Sequence, residues 1–115
     1  MADTRSERLM PGGIPRYVRI YDEPSTFDRY TVLFTGRYPG RPKGKVEYIG
    51  MSENPTHPQG FGQHGEADAQ VDSTNGWPPA IGRKCHLGKR IAFTDLPKEC
   101  QDVVLNDYRA TWNLQ

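Results

Sequence analysis

No stretch of the chain approaches the ~20 consecutive apolar residues of a membrane-spanning helix, and the opening MADTRSERLM has no greasy run of the signal-peptide kind. Lipid anchoring lacks its signals too. Residue 2 is alanine, not the glycine that myristoylation needs, and the closing Asn113-Leu114-Gln115 has no prenylation cysteine. Cysteine is scarce, with only Cys85 and Cys100, too few for the disulfide framework of a small secreted domain. The expectation is a cytoplasmic protein with free thiols and no membrane partner. Aliphatic side chains are thin as well, since hydrophobic residues make up 35% of the sequence. Four Phe, six Tyr and two Trp supply the missing bulk. A formal net charge of +1 lacks the global positive field of most nucleic-acid binders. At 115 residues there is room for one domain and one core.

Glycine and proline are abundant, at 12 and 10 residues, so much of the chain must be turn and connection. Charge is unevenly placed. Arg29, Arg37, Arg41, Lys43 and Lys45 lie in a stretch without an acid, whereas residues 46–82 contain no Lys or Arg but hold Glu47, Glu53, Glu66, Asp68 and Asp72. Positive charge then returns at Arg83, Lys84, Lys89 and Arg90.

Residues 1–13 are polar and end at Pro11-Gly12-Gly13, the composition of a flexible tail, so the domain is expected to span 14–115. RYVRIYD (16–22) alternates with period two, Val18 and Ile20 facing opposite to Tyr17, Arg19 and Tyr21. RYTVLFTG (29–36) puts Tyr30, Val32 and Phe34 on one face, and in VEYIGM (46–51) Val46 and Tyr48 oppose Glu47 and Ile49. These read as an antiparallel meander. From Ser52 to Arg83 no apolar period survives, and the segment 51–88 reads as one long Gly/Pro-rich functional loop. KRIAF (89–93) suggests a fourth short strand, with Ile91 and Phe93 facing one way.

A helix follows. Thr94 or Asp95 suits its N-cap, Pro97 its first turn and Glu99 its positive end. Leu96, Cys100, Val103, Val104, Tyr108 and Trp112 recur at spacings of three and four, an apolar stripe that must pack on the sheet. The fold class expected is α+β: a small antiparallel sheet of three to four strands packed by one C-terminal amphipathic helix. Cys100 belongs to that packing stripe.

Polar chemistry concentrates in HPQGFGQHG (57–65). His57 and His64, with His86, are the candidate acid–base residues, and Glu66, Asp68 or Asp72 are available to orient an imidazole. The same histidines with Cys85 would make a zinc ligand set, although their spacing matches no established zinc motif, and no cofactor is expected. Cys85 stands among Arg83, Lys84 and His86, positive surroundings that favour a thiolate. For recognition, Phe61 and Trp77 are bulky aromatics on loops, Gln63 and His64 add polar contacts, and Arg37, Arg41, Arg83 and Lys84 add charge. Tyr17, Tyr21 and Tyr38 beside Arg16, Arg19, Arg37 and Arg41 would make a stacking platform for nucleic acid.

YTV (30–32), followed by YIG (48–50), MS and later QH, resembles the GIY-YIG nucleases over about a third of the chain. That resemblance implies Tyr30, Tyr48 and His64 as the corresponding positions. The family's second motif leads into a helix bearing a catalytic arginine. Here no arginine lies between Gly50 and His64, and HPQGFG breaks a helix, so the likeness is taken as one of strand composition. The function expected is a small non-enzymatic module that binds a protein or nucleic acid through loop 51–88 and the neighbouring basic strands. The alternative is a histidine-based hydrolase or nuclease, with or without a metal.

Overall fold

A computed structural model describes residues 9–36, 41–55 and 62–112. The fold is α+β: antiparallel strands and one C-terminal helix. The strands are β1 (Leu9–Met10), β2 (Ile14–Pro15), β3 (Val18–Asp22), β4 (Tyr30–Phe34), β5 (Lys45–Met51), β6 (Gly62–Asp68), β7 (Lys84–Cys85) and β8 (Gly88–Ile91). A 3₁₀ turn (Phe93–Asp95) leads to helix α1 (Lys98–Trp112). β1 and β2 form a separate hairpin, and the other strands make one six-stranded sheet in the order β6-β5-β4-β3-β8-β7.

The expected meander is present, and its registers carry the alternation read from the sequence. Val32 sits between Ile20 on β3 and Ile49 on β5. Because side chains directly opposite share a face, Ile20, Tyr30, Val32, Phe34, Ile49 and Met51 all project to one side. There they meet Cys100, Val104 and Tyr108, a buried stripe of α1 at spacings of four. Tyr108 also accepts a hydrogen bond from the Tyr17 amide at 3.3 Å, which ties the last turns of α1 to the start of β3. The side chain of Trp112 lies outside the described residues.

Four features differ from the sequence expectation. The sheet has six strands instead of three or four, because Gly62–Asp68 pairs with the whole of β5 and Lys84–Cys85 closes a hairpin onto β8. Neither carries a strong apolar alternation, so periodicity misses both. Leu9 to Gly13, expected in the tail, turn back on Ile14 and Pro15 through Gly12 and Gly13, whose φ of 85° and 76° admit the reversal. Helix α1 starts three residues after Asp95, whose carboxylate caps the 3₁₀ turn by accepting from the Ala92 amide at 3.0 Å. Finally, the second face of the sheet, carrying Tyr21, Leu33 and Val46, is buried too.

The turn between β3 and β4 places Asp28 against β5. Gly50 leaves the space, since a Cβ there would collide with the Asp28 carboxylate. Burial pushes the Asp28 carboxyl above its ordinary value, and its Oδ1 is buried without a hydrogen-bond partner among the described residues. The charged form is therefore disfavoured in the folded state at neutral pH, and stability should rise as pH falls through the raised value. Asp28→Asn should stabilise the protein at pH 7 by about 1 kcal/mol in urea unfolding, with the gain shrinking towards pH 4. Val104→Ala should cost about 2 kcal/mol in the same measurement, because it opens a hole where α1 meets β4 and β5.

Candidate functional site

The segment after β6 has to cross from one edge of the sheet to the other, because β6 and β7 are the outermost strands. It does so over the second face. Ala69 first extends the β5–β6 ladder through its amide to the Gly44 carbonyl at 2.9 Å, and two tight turns follow. Asp72 then enters the protein with 0% of its surface exposed. Its carboxylate accepts from Arg19 Nε at 2.5 Å and Nη2 at 3.2 Å, and from the Tyr21 hydroxyl at 2.5 Å. Arg19 also donates to the Ala69 carbonyl at 3.2 Å.

Burial alone would raise the Asp72 carboxyl. The bonds from Arg19 and Tyr21 and the guanidinium charge outweigh it and hold the group below the usual carboxylate range. Burial, reinforced by the bond to Asp72 and its charge, pushes the Tyr21 phenol far above its ordinary value. The crossing segment is thus fastened to β3 by a charge-assisted fork with a phenol beside it.

What this fastening carries is an apolar tip. Asn75 and Gly76, with φ of 56° and 83°, form a two-residue turn of the type favoured in tight hairpins. Thr74 and Trp77 bond across it in both directions, at 2.8 and 3.1 Å. Pro78 and Pro79 follow, and Arg90 Nη1 donates to the Pro79 carbonyl at 2.8 Å. Gly82 and Arg83 then pair with the backbone of Arg90, both at 2.8 Å. On this braced segment Trp77 is 77% and Ile81 61% exposed.

Ile81 also lines a groove of about 240 Å³, whose apolar wall includes Met10, Ile14, Val18 and Ile91. Arg16, also in the groove lining, is exposed, as are Arg83 and Lys84 just beyond Ile81. A second concavity, of about 570 Å³, lies at the other edge between β6 and α1. There His64 Nε2 is 2.6 Å from Asp107 Oδ2, and Glu47, Glu66 and Phe34 complete the walls.

The residues singled out from the sequence fall into separate places. Trp77, Arg83 and Lys84 cluster at the tip and its root, while Gln63 and His64 sit on β6 at the opposite edge. His57, Phe61, Arg37 and Tyr38 lie outside the described residues. Arg41 is engaged structurally, its guanidinium bonding the Lys45 carbonyl at 2.5 Å and the Gly36 carbonyl. Tyr21 and Arg19 are withdrawn from the expected stacking platform, because the crossing segment covers that face.

The orienting carboxylate of His64 is Asp107, not Glu66, Asp68 or Asp72. Cys85 and His86 stand on and beside β7, at the opposite edge of the six-stranded sheet from His64. Among the described residues no three His, Cys, Asp or Glu side chains converge as metal ligands. Cys85 and Cys100 are free thiols on opposite faces of the sheet, and burial raises the Cys100 thiol to about 11. The two tyrosines of the nuclease likeness also point apart, Tyr30 into the α1 side and Tyr48 to the other. No helix follows β5 in residues 52–55.

Sequence reasoning missed Ile81, Met10 and Asp107. The first two are isolated apolar residues in turn-rich segments. Asp107 is visible only once α1 is docked, since 43 positions separate it from His64. Compared with protein-family models, curated proteins and solved structures, the chain matches none.

The Asp72 clamp makes a measurable demand. Asp72→Ala should cost about 3 kcal/mol, because it strands a half-buried guanidinium and a buried phenol. In the unfolded chain the carboxyl titrates near its ordinary ~3.9. The folded value is lower, so the unfolded state takes up the proton first as pH falls. The stability from this carboxylate is fully present above about pH 5 and is lost as pH drops through the folded value. Urea unfolding of wild type and variant should therefore converge in acid; a gap unchanged from pH 7 to pH 2 would refute the assignment.

Proposed function

We propose that this chain is a small non-enzymatic binding module that holds a protein partner against Trp77, Ile81 and the adjoining groove. The observation that carries this reading is the exposure of two large apolar side chains on a segment whose backbone is braced. Large apolar groups left in water on a rigid support are the usual form of an interface anchor. Bracing lowers the ordering cost of association, because the Asn75-Gly76 turn, two prolines and the Arg90 bonds already hold the tip. Trp77 and Ile81 would supply the buried centre of the interface, and Arg16, Arg83 and Lys84 its charged rim. The partner chemistry that fits is an apolar protein segment flanked by acidic residues. Nucleic acid fits less well, because Tyr21 and Arg19 are occupied and the stacking faces are reduced.

A second reading, hydrolysis or nucleolysis by a histidine, has the His64–Asp107 contact in its favour, since a carboxylate fixes the tautomer of a general base. The two readings separate experimentally. Immobilised wild-type protein should retain a protein from cell lysate through nuclease treatment, and Trp77→Ala should reduce that retention about tenfold with its thermal midpoint unchanged. Retention of the same protein by both forms, or its release by nuclease, would refute the reading. Ester or nucleic-acid hydrolysis abolished by His64→Ala would establish the second one.

A further inference from the structure

We propose that the outer edge of β6 is a second recognition site, which takes up an extended segment of another protein with alternating basic and apolar residues. It is independent of the Trp77 surface and lies at the opposite end of the sheet. β6 spends one side on β5, in unbroken register from Lys45↔Asp68 to Met51↔Gly62. Among the described residues no strand pairs with its other side.

The direction of the open groups follows from the ladder. Ala69 donates to Gly44, one step beyond the Lys45↔Asp68 pair, so that pair of positions is a hydrogen-bonded one. Bonded and non-bonded pairs alternate in an antiparallel ladder. Gln63, Gly65 and Ala67 therefore turn their main-chain groups towards β5, and His64 and Glu66 turn theirs outward. Gly62–Asp68 contains no proline and no lysine, its register has no bulge, and the charges it carries, Glu66 and Asp68, guard the edge against acidic partners only.

The side chains specify what can be added. His64, Glu66 and Asp68 project to the α1 side, where Glu47 stands directly opposite Glu66 and Asp107 faces His64. Two carboxylates directly opposite each other disfavour the pairing they sit on until a cation comes between them. Lys45, the neighbouring cation, is held by Asp68 at 2.7 Å. The 570 Å³ cleft beside these carboxylates gives a long basic side chain room to enter.

On the other face Gln63, Gly65 and Ala67 are small or neutral, and the Tyr48 ring lies over Gly65. An added strand thus meets carboxylates with one set of alternate side chains and an aromatic ring with the other. A second β6 would bring no lysine or arginine to these carboxylates, and a nucleic acid would be repelled. Main-chain bonds would supply affinity and the alternate side chains selectivity, as in other cases of strand addition.

A labelled peptide about nine residues long, alternating Lys and Val, tests this against a counterpart with Glu for Lys. Fluorescence anisotropy should show binding of the basic peptide alone, weakening about tenfold from low to high salt. In hydrogen exchange on the wild-type protein, bound peptide should slow the His64 and Glu66 amides about tenfold or more and leave Gln63 and Gly65 unchanged. Glu66→Gln should weaken binding about threefold, and Glu66→Pro, which removes an outward donor but no bond to β5, about tenfold further. Trp77→Ala should bind the peptide normally, which keeps this site distinct from the first. Equal binding of the acidic peptide, no binding at low salt, or unaltered exchange at His64 and Glu66 would each overturn the proposal. So would concentration-dependent self-association that protects the same two amides without peptide.

Discussion

A carboxylate taken out of water must find its charge and hydrogen bonds elsewhere, and the arrangement of the second face follows from how Asp72 does so. Arg19 and Tyr21 are successive outward positions of β3, the strand in the middle of the sheet, and both reach the same buried carboxylate. The crossing segment is thereby held to the centre of the molecule instead of hanging from its edges. Without that anchor Leu33, Val46 and Tyr21 would form one wall of an open apolar trough. With it they are a second small core, and the backbone beyond Asp72 leaves the sheet in a fixed direction. The apolar tip is therefore a product of electrostatics at its base.

The parts of the fold that were legible are those in which one face is apolar and the other polar over several residues. β3, β4, β5 and α1 carry that alternation, and their described facing residues fall on the sides that period assigns, whereas Tyr17, just before β3, packs on the α1 side with Val18. β6 was not legible because GQHGEAD has no apolar face to detect; its position is set by pairing with β5 and by Tyr48 folding over Gly65. The second core was hidden for a related reason. Arg19 between Val18 and Ile20 reads as a solvated position, and nothing local announces that a carboxylate 53 residues later will cover it. For the candidate site, Trp77 was identifiable as a bulky residue in a turn-rich context. Its companion Ile81 and the groove depend on the β1–β2 hairpin, which sits in a segment with the composition of a tail. The pairing of His64 with Asp107 likewise needs the docked helix.

The two surfaces divide the chemistry of the molecule between them. One presents aromatic and aliphatic groups with basic neighbours, the other carboxylates beside a strand edge that is unpaired among the described residues. The crossing segment connects them, because it leaves β6 at one end and reaches the β7–β8 hairpin at the other. The segment 69–83 thus joins opposite edges of one sheet. Its Gly/Pro-rich composition reflects the turns needed for that passage, whereas its rigidity comes from Asp72, the Thr74–Trp77 bridge and Arg90.

The sequence places acids without bases from Glu47 to Asp72 and bases without acids from Arg83 to Arg90, and the strand order puts Glu66 and Asp68 on one edge strand and Lys84 on the other. A chain of nearly zero net charge thus carries local charge of opposite sign at its two margins, although Lys45 offsets Asp68 at the first. Neutrality in the total, for this molecule, conceals an uneven distribution of charge across the sheet.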